Sequence, residues 1–158
     1  YFTALSRFNY RGLIRWLARE RQIVYAGYYV GVVRARVDDE KGQRMRLSQR
    51  NFFNFLQSPR QGFILRKGYL MHSGGSYHEK GVDVQLAVDL LVGAYENTYD
   101  TAIVISSDTD LIPAMHKVKE LGKDVEYIGF SHEPSLALQK HAAISRLLIK
   151  EELQPFVL

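Results

Sequence analysis

The stretch from Thr101 to Asp110, TAIVISSDTD, does most to limit what this chain can become. Ile103, Val104 and Ile105 read as a strand buried on both faces of a parallel sheet. The run stops abruptly at Ser106, Ser107, Asp108, Thr109 and Asp110, and a helical pattern comes next. In open parallel sheets, sites lie at the carboxyl ends of strands, where Asp108 and Asp110 are expected. Two carboxylates so close together suit a hard divalent cation, Mg²⁺ or Mn²⁺.

Around that strand, helix and strand patterns alternate almost throughout, which predicts an α/β domain with a mostly parallel sheet. Leu13, Ile14 and Leu17 predict a helix near Tyr10 to Glu20, and Ile23 to Val33 reads as a strand. Arg34 to Arg46 has no apolar periodicity and is expected to be an exposed loop. Ser48 is a candidate cap for a short helix carrying Phe52, Phe53 and Leu56, which Ser58-Pro59 ends. Gly62 to Met71 predicts a strand, and Ser73-Gly-Gly-Ser76 a flexible link. Val82 to Tyr95 is the clearest helix, with Leu86, Leu90 and Ala94 in one stripe. A helix from about Leu111 to Leu121 admits Pro113 only in its first turn and stops at Gly122. Val125 to Phe130, Leu136 to His141 and Leu147 to Ile149 read as strand, helix and strand. No strand pattern precedes the first helix. Either the fold starts differently, or the sequence begins after a central strand.

With 158 residues, one domain over residues 1–158 with a substantial core is expected. No cysteine is present, so disulfides and thiolate metal sites are excluded. No apolar stretch approaches the roughly 20 residues of a membrane helix, and no signal peptide is visible; the expected location is cytoplasmic. The net charge of +4 conceals an asymmetry. Residues 1–80 hold fifteen Lys/Arg against five Asp/Glu, while residues 81–158 hold six against twelve. Cations that hold phosphates beside carboxylates that hold metal are what a nuclease needs.

Four carboxylates are candidates. Asp83 starts a predicted helix, where the macrodipole alone would also favour an acid. Asp89 lies roughly 240° further round that helix and does not share its face. Asp110 can equally be read as a helix N-cap, which leaves Asp108 as the acid hardest to explain structurally. Ser106 and Ser107 are placed to bond the carboxylates or a phosphate, and Lys80 to neutralise a phosphate. The five histidines show no zinc-ligand spacing. Tyr25, Tyr28 and Tyr29 can stack on bases, but aromatics in strands more often serve core or sheet surface. An Asp-x-Asp after a strand also resembles the first motif of haloacid-dehalogenase-like phosphatases and the motif of glycosyltransferases. Its late position opposes the first of these, and the short chain the second.

Three segments together, KGVDVQLAVD (80–89), ISSDTDL (105–111) and LGKDVEYIGF (121–130), resemble the NYN family, a branch of the PIN-like nuclease superfamily that includes the LabA-like (DUF88) proteins. The resemblance is strong over residues 79 to about 149. It implies a three-layer α/β/α sandwich whose strand-end acids bind Mg²⁺ or Mn²⁺, and RNA hydrolysis as the activity. By position, Asp83 and Asp108 match the family's central acids and Asp110 its next acid. Asp89 matches a further acid, and Lys80 and Ser106 match flanking positions. The family also places an Asp, with Asn three residues later, at the end of its first strand. Tyr1-Phe2-Thr3 resembles the residues just after that motif, so the first strand is expected to be absent from the chain.

The resulting expectation is a metal-dependent endoribonuclease. Asp83, Asp108 and Asp110 carry its Mg²⁺ or Mn²⁺ site, with Asp89 associated. Lys80, Ser106, Ser107, Arg34, Arg36 and Arg66 are the candidate contacts to a single-stranded RNA, and a homodimer is the candidate assembly. The alternative is a catalytically inactive RNA-binding or protein-interaction module of the same fold.

Overall fold

The structure, a computed structural model, describes residues 2–73 and 76–158, and all side chains in these ranges except those of residues 70–79. In chain order the elements are α1 (Phe2–Leu5), α2 (Tyr10–Ala18), β1 (Gly27–Val32), α3 (Glu40–Gln57), β2 (Ile64–Ser73), β3 (Ser76–Lys80) and α4 (Val82–Tyr95). Then come β4 (Thr101–Ile105), a 3-10 turn (Thr109–Leu111), α5 (Ile112–Glu120), β5 (Asp124–Phe130), α6 (Leu136–His141), β6 (Ile144–Leu148) and α7 (Lys150–Leu153). This is the mixed α/β class that the alternation predicts. The chain forms two compact units, residues 1–85 with 156–158, and residues 86–155.

In the first unit, β1 pairs parallel with β2 from Gly27↔Ile64 to Val32↔Tyr69, and β2 pairs antiparallel with β3. Period-2 alternation sends Tyr28, Val30 and Val32 to one face of β1. There they pack, with Leu65 of β2, against Phe52, Phe53 and Leu56 of α3 and Phe63. Asn9 starts α2 by accepting the Gly12 N–H at 2.9 Å. Near the other end of the chain, Leu158 N–H donates to Arg7 O at 2.8 Å. Gln49, only 2% exposed, ties α3 to β1. Its Oε1 accepts the Val33 N–H and its Nε2 donates to Gly31 O, both at 2.9 Å. A neighbouring parallel strand would make the same pair of bonds, so the side chain replaces one locally.

Two expectations for this unit are corrected. The segment Arg34 to Arg46 is not wholly loop, since α3 begins at Glu40. Its first turns are solvated and carry no apolar stripe. They are held by Asp39, which accepts the Gly42 N–H at 2.8 Å, and by the Glu40–Arg44 ion pair at 3.5 Å. A local cap thus extends a helix whose buried side chains start only at Gln49, although the Gly42 backbone in its first turn is itself buried. The segment after β2 returns as β3, an antiparallel strand that composition does not reveal. Gly74 and Gly75 of the predicted flexible link lie outside the described residues.

In the second unit β4, β5 and β6 are parallel, in the order β4-β5-β6. Leu90 and Ala94 of α4 pack with Val104, Leu111, Met115, Val118, Val125, Tyr127 and Leu138 in one core. Pro113 lies in the first turn of α5, and Gly122 takes φ 75° just beyond that helix, as the sequence predicts. The strand β4 is less enclosed than its composition implies. Val104 is buried but Ile105 is 42% exposed. Ile105 is the last residue of β4, where the chain leaves the sheet for the acidic turn.

Candidate functional site

Asp108 and Asp110 stand where the parallel-sheet argument puts them, just past the carboxyl end of β4. Two side-chain bonds build the turn that presents them. Ser106 Oγ accepts the Asp108 N–H at 3.1 Å, and Asp108 Oδ1 accepts the Asp110 N–H at 2.8 Å. Short polar side chains of this kind wind the backbone locally, as in Asx and Ser turns. Leu111, 1% exposed, then pins the turn into the core before α5 begins. The N-cap is therefore Asp108, not Asp110, which corrects the sequence reading. Asp110 sits inside the turn and is exposed.

The remaining candidates are spread more widely. Asp83 is exposed in the first turn of α4, close after the exposed Lys80, and both belong to the first unit. Asp89 lies further along α4, in the second unit. Ser107 is exposed, whereas Ser106 spends its hydroxyl on the Asp108 backbone rather than on a carboxylate.

Among the arginines, Arg36 pairs with Asp38 at 3.3 Å, both being exposed. Arg66 donates from Nε to the Tyr25 hydroxyl at 3.2 Å and lies 6.0 Å from that ring's centroid. Arg34 lies 5.4 Å from the Tyr69 ring centroid. The β1–β2 register sets Arg66 opposite Tyr29, three residues before the Val32↔Tyr69 pair. At ~3.3 Å per residue this separates Arg66 from Tyr69, where Arg34 rests, by about 10 Å along the sheet. Of the three tyrosines considered for stacking, Tyr28 belongs to the core, 5.6 Å from Phe52, while Tyr25 is exposed.

The donor set at the end of β4 suits a hard cation in kind, being all carboxylate oxygen. Among the described residues Asp108 Oδ2 has no hydrogen-bond partner, so one oxygen remains after capping. Within either unit, no three His, Asp or Glu side chains among the described residues gather closely enough to hold an ion by themselves. The rings of His116 on α5 and His141 on α6 meet at 4.7 Å, an encounter their spacing in sequence does not announce. No helix among the described residues is long and apolar enough to cross a membrane.

The sequence reading missed Arg46, Arg50 and Lys67, which line one hollow on the first unit. The signal was present in part. Gln43, Arg46, Leu47 and Arg50 fall at helical spacing once α3 is known to begin at Glu40.

Comparison with known proteins places this geometry. An uncharacterised protein of Methanocaldococcus jannaschii is 41% identical over 61 residues, which cover 39% of this chain and 25% of that protein. The match thus spans about a quarter of that relative's length. A crystal structure of a protein of unknown function from Vibrio parahaemolyticus superposes with a TM-score of 0.62 at 21% identity. It covers 96% of this chain and 82% of its own, and this likeness speaks for the fold alone. Residues 1–147 match the NYN domain, well beyond the second half where the motifs are clearest; the chain belongs to the NYN family, and its parallel α/β architecture accords with the PIN-like α/β/α fold.

Proposed function

We propose that this protein is a metal-dependent endoribonuclease whose acidic site includes Asp108 and Asp110. The observation that carries the reading is the Asp108 turn. One carboxylate is anchored at a strand's carboxyl end, with an oxygen to spare and a second acid presented beside it. Family membership supports a nuclease-type activity and RNA as the substrate class.

Asp108 and Asp110 would hold Mg²⁺ or Mn²⁺, with Asp89 in a supporting role. When bound, the cation supplies charge stabilisation at the scissile phosphate and lowers the pKa of the attacking water, for cleavage leaving 5′-phosphate and 3′-hydroxyl ends. The protein's own side chains then have separate tasks. Ser106 orients Asp108 through its backbone N–H, and the exposed Ser107 and Lys80 meet phosphate oxygens. Arg34, Arg36 and Arg66 of the basic half contact the RNA backbone.

The test is cleavage of an end-labelled single-stranded RNA with Mn²⁺, with chelator, and by the Asp108→Asn variant. Cleavage that needs the metal and is lost in the variant is expected; equal cleavage by the variant removes Asp108 from the site. A second reading is an RNA-binding or protein-interaction module without turnover. It is favoured by the absence, within either unit, of a complete ligand set among the described residues. RNA bound equally well in chelator, with no cleavage under Mn²⁺, would select it.

A further inference from the structure

We propose that the open hollow between α3, the carboxyl end of β1 and Lys67 of β2 binds the phosphate backbone of single-stranded RNA. Arg46, Arg50 and Lys67 would meet the phosphates, and Tyr69 would offer a stacking face. The proposal rests on the ribonuclease reading and adds where the RNA is held.

The hollow has a volume of about 520 Å³, and Arg46, Arg50 and Lys67 rise around a floor that includes Val32 and Phe53. A second hollow of about 360 Å³ shares Val32 and Arg46 with it and adds Arg34. The two hollows adjoin at Val32 and Arg46, and among the described residues that line them are four cations and no carboxylate. The nearby acids are engaged elsewhere, Glu40 with Arg44 and Asp38 with Arg36. Among the described residues neither Arg46 nor Arg50 has an ion-pair partner.

Two arginines at i and i+4 on one helix repel each other, and Lys67 across the trough adds to that repulsion. A bound polyanion relieves it. The walls are also held in place. Gln49 bonds α3 to the end of β1, and Lys67 lies 5.3 Å from the Phe53 ring centroid. The backbone that carries these cations is therefore in place before a ligand binds, which lowers the ordering cost.

The extended run from Lys67 to Arg34 suits successive phosphates rather than one anion. Tyr69, 56% exposed, lies at the Arg34 end of the trough. Cationic grooves lined with exposed aromatics are how sequence-tolerant proteins hold single strands.

The test measures fluorescence anisotropy of a labelled single-stranded RNA in chelator, so that cleavage does not enter. Arg46→Gln with Arg50→Gln should weaken binding about tenfold or more and lower the salt slope by about 1.4, the value for two lost phosphate contacts. Arg46→Lys with Arg50→Lys, which keeps the charges, should retain most of the affinity, which separates charge loss from misfolding. Tyr69→Ala should cost about fivefold or more, and Tyr69→Phe little. The same charge loss off the trough, Arg7→Gln with Arg15→Gln, should leave affinity within about twofold.

Unchanged affinity and slope in the Gln pair would overturn the proposal. So would polyglutamate binding as tightly as RNA with the same variant dependence, which would make the trough a site for acidic polypeptides. Cleavage is scored separately. A protein that binds through Arg46 and Arg50 but never cleaves keeps the trough and loses the nuclease. One that cleaves with unchanged binding in the Gln pair does the reverse.

Discussion

Asp108 Oδ1 accepts the Asp110 N–H at 2.8 Å, so the first acid of the pair shapes the turn that presents the second. Structural and chemical roles therefore meet in one side chain. They can be separated because asparagine caps a turn about as well as aspartate but carries no charge.

Asp108→Asn should unfold at the same temperature as the parent, whereas Asp108→Ala should lose about 1 kcal/mol with the cap. Both should lack metal-dependent cleavage. Thermal melts beside the RNA assay check this, and an Asn variant that melts early would mean that the turn needs the charge itself.

Gln49→Leu leaves the Val33 N–H and Gly31 O without the partners they have now. Losing these two buried hydrogen bonds should cost about 2–4 kcal/mol. Denaturant titration measures the loss, and faster hydrogen exchange at the Val33 amide locates it.

Gly68 of β2 lies against the segment where the chain enters α4. A Cβ there would stand 2.5 Å from Val82 Cγ2 and 2.6 Å from Lys80 O. Gly68→Ala should therefore cost about 1–3 kcal/mol through overpacking. Denaturant titration measures the loss. A variant as stable as the parent would show that this junction yields easily.

Burial pushes the Tyr99 phenol from its ordinary 10.0 to about 12. The hydroxyl donates to Leu90 O at 2.7 Å, a bond the phenolate would lose. Since the folded pKa lies above the unfolded one, this contribution to stability is complete below pH 10 and fades as pH rises towards 12. Denaturant titrations across that range should show the decline in the parent and a smaller one in Tyr99→Phe. Equal slopes would mean that Tyr99 ionises alike in both states.

Elements with their own periodicity or punctuation were legible residue by residue. Val82–Tyr95 and Leu136–His141 form over the predicted ranges, and β5 differs from its reading by one residue. The acids at the end of β4 were legible because an apolar run can end in Ser-Ser-Asp-Thr-Asp only where the chain leaves the core. The roles within that turn were not. Asp108 and Asp110 are both good caps, and the backbone path decides which side chain finds an N–H.

The sequence by itself determined the α/β class, the family and the acidic strand end, because each is written in short local patterns along the chain. Tertiary structure decided that α3 starts at Glu40, that β3 pairs antiparallel with β2, and that Lys67 shares one hollow with Arg46 and Arg50. Those outcomes depend on partners distant in the chain: a helix held by its buried end, a strand by its neighbour's edge, and a trough by two elements that meet only on folding. No local pattern of apolar and polar residues records such a meeting.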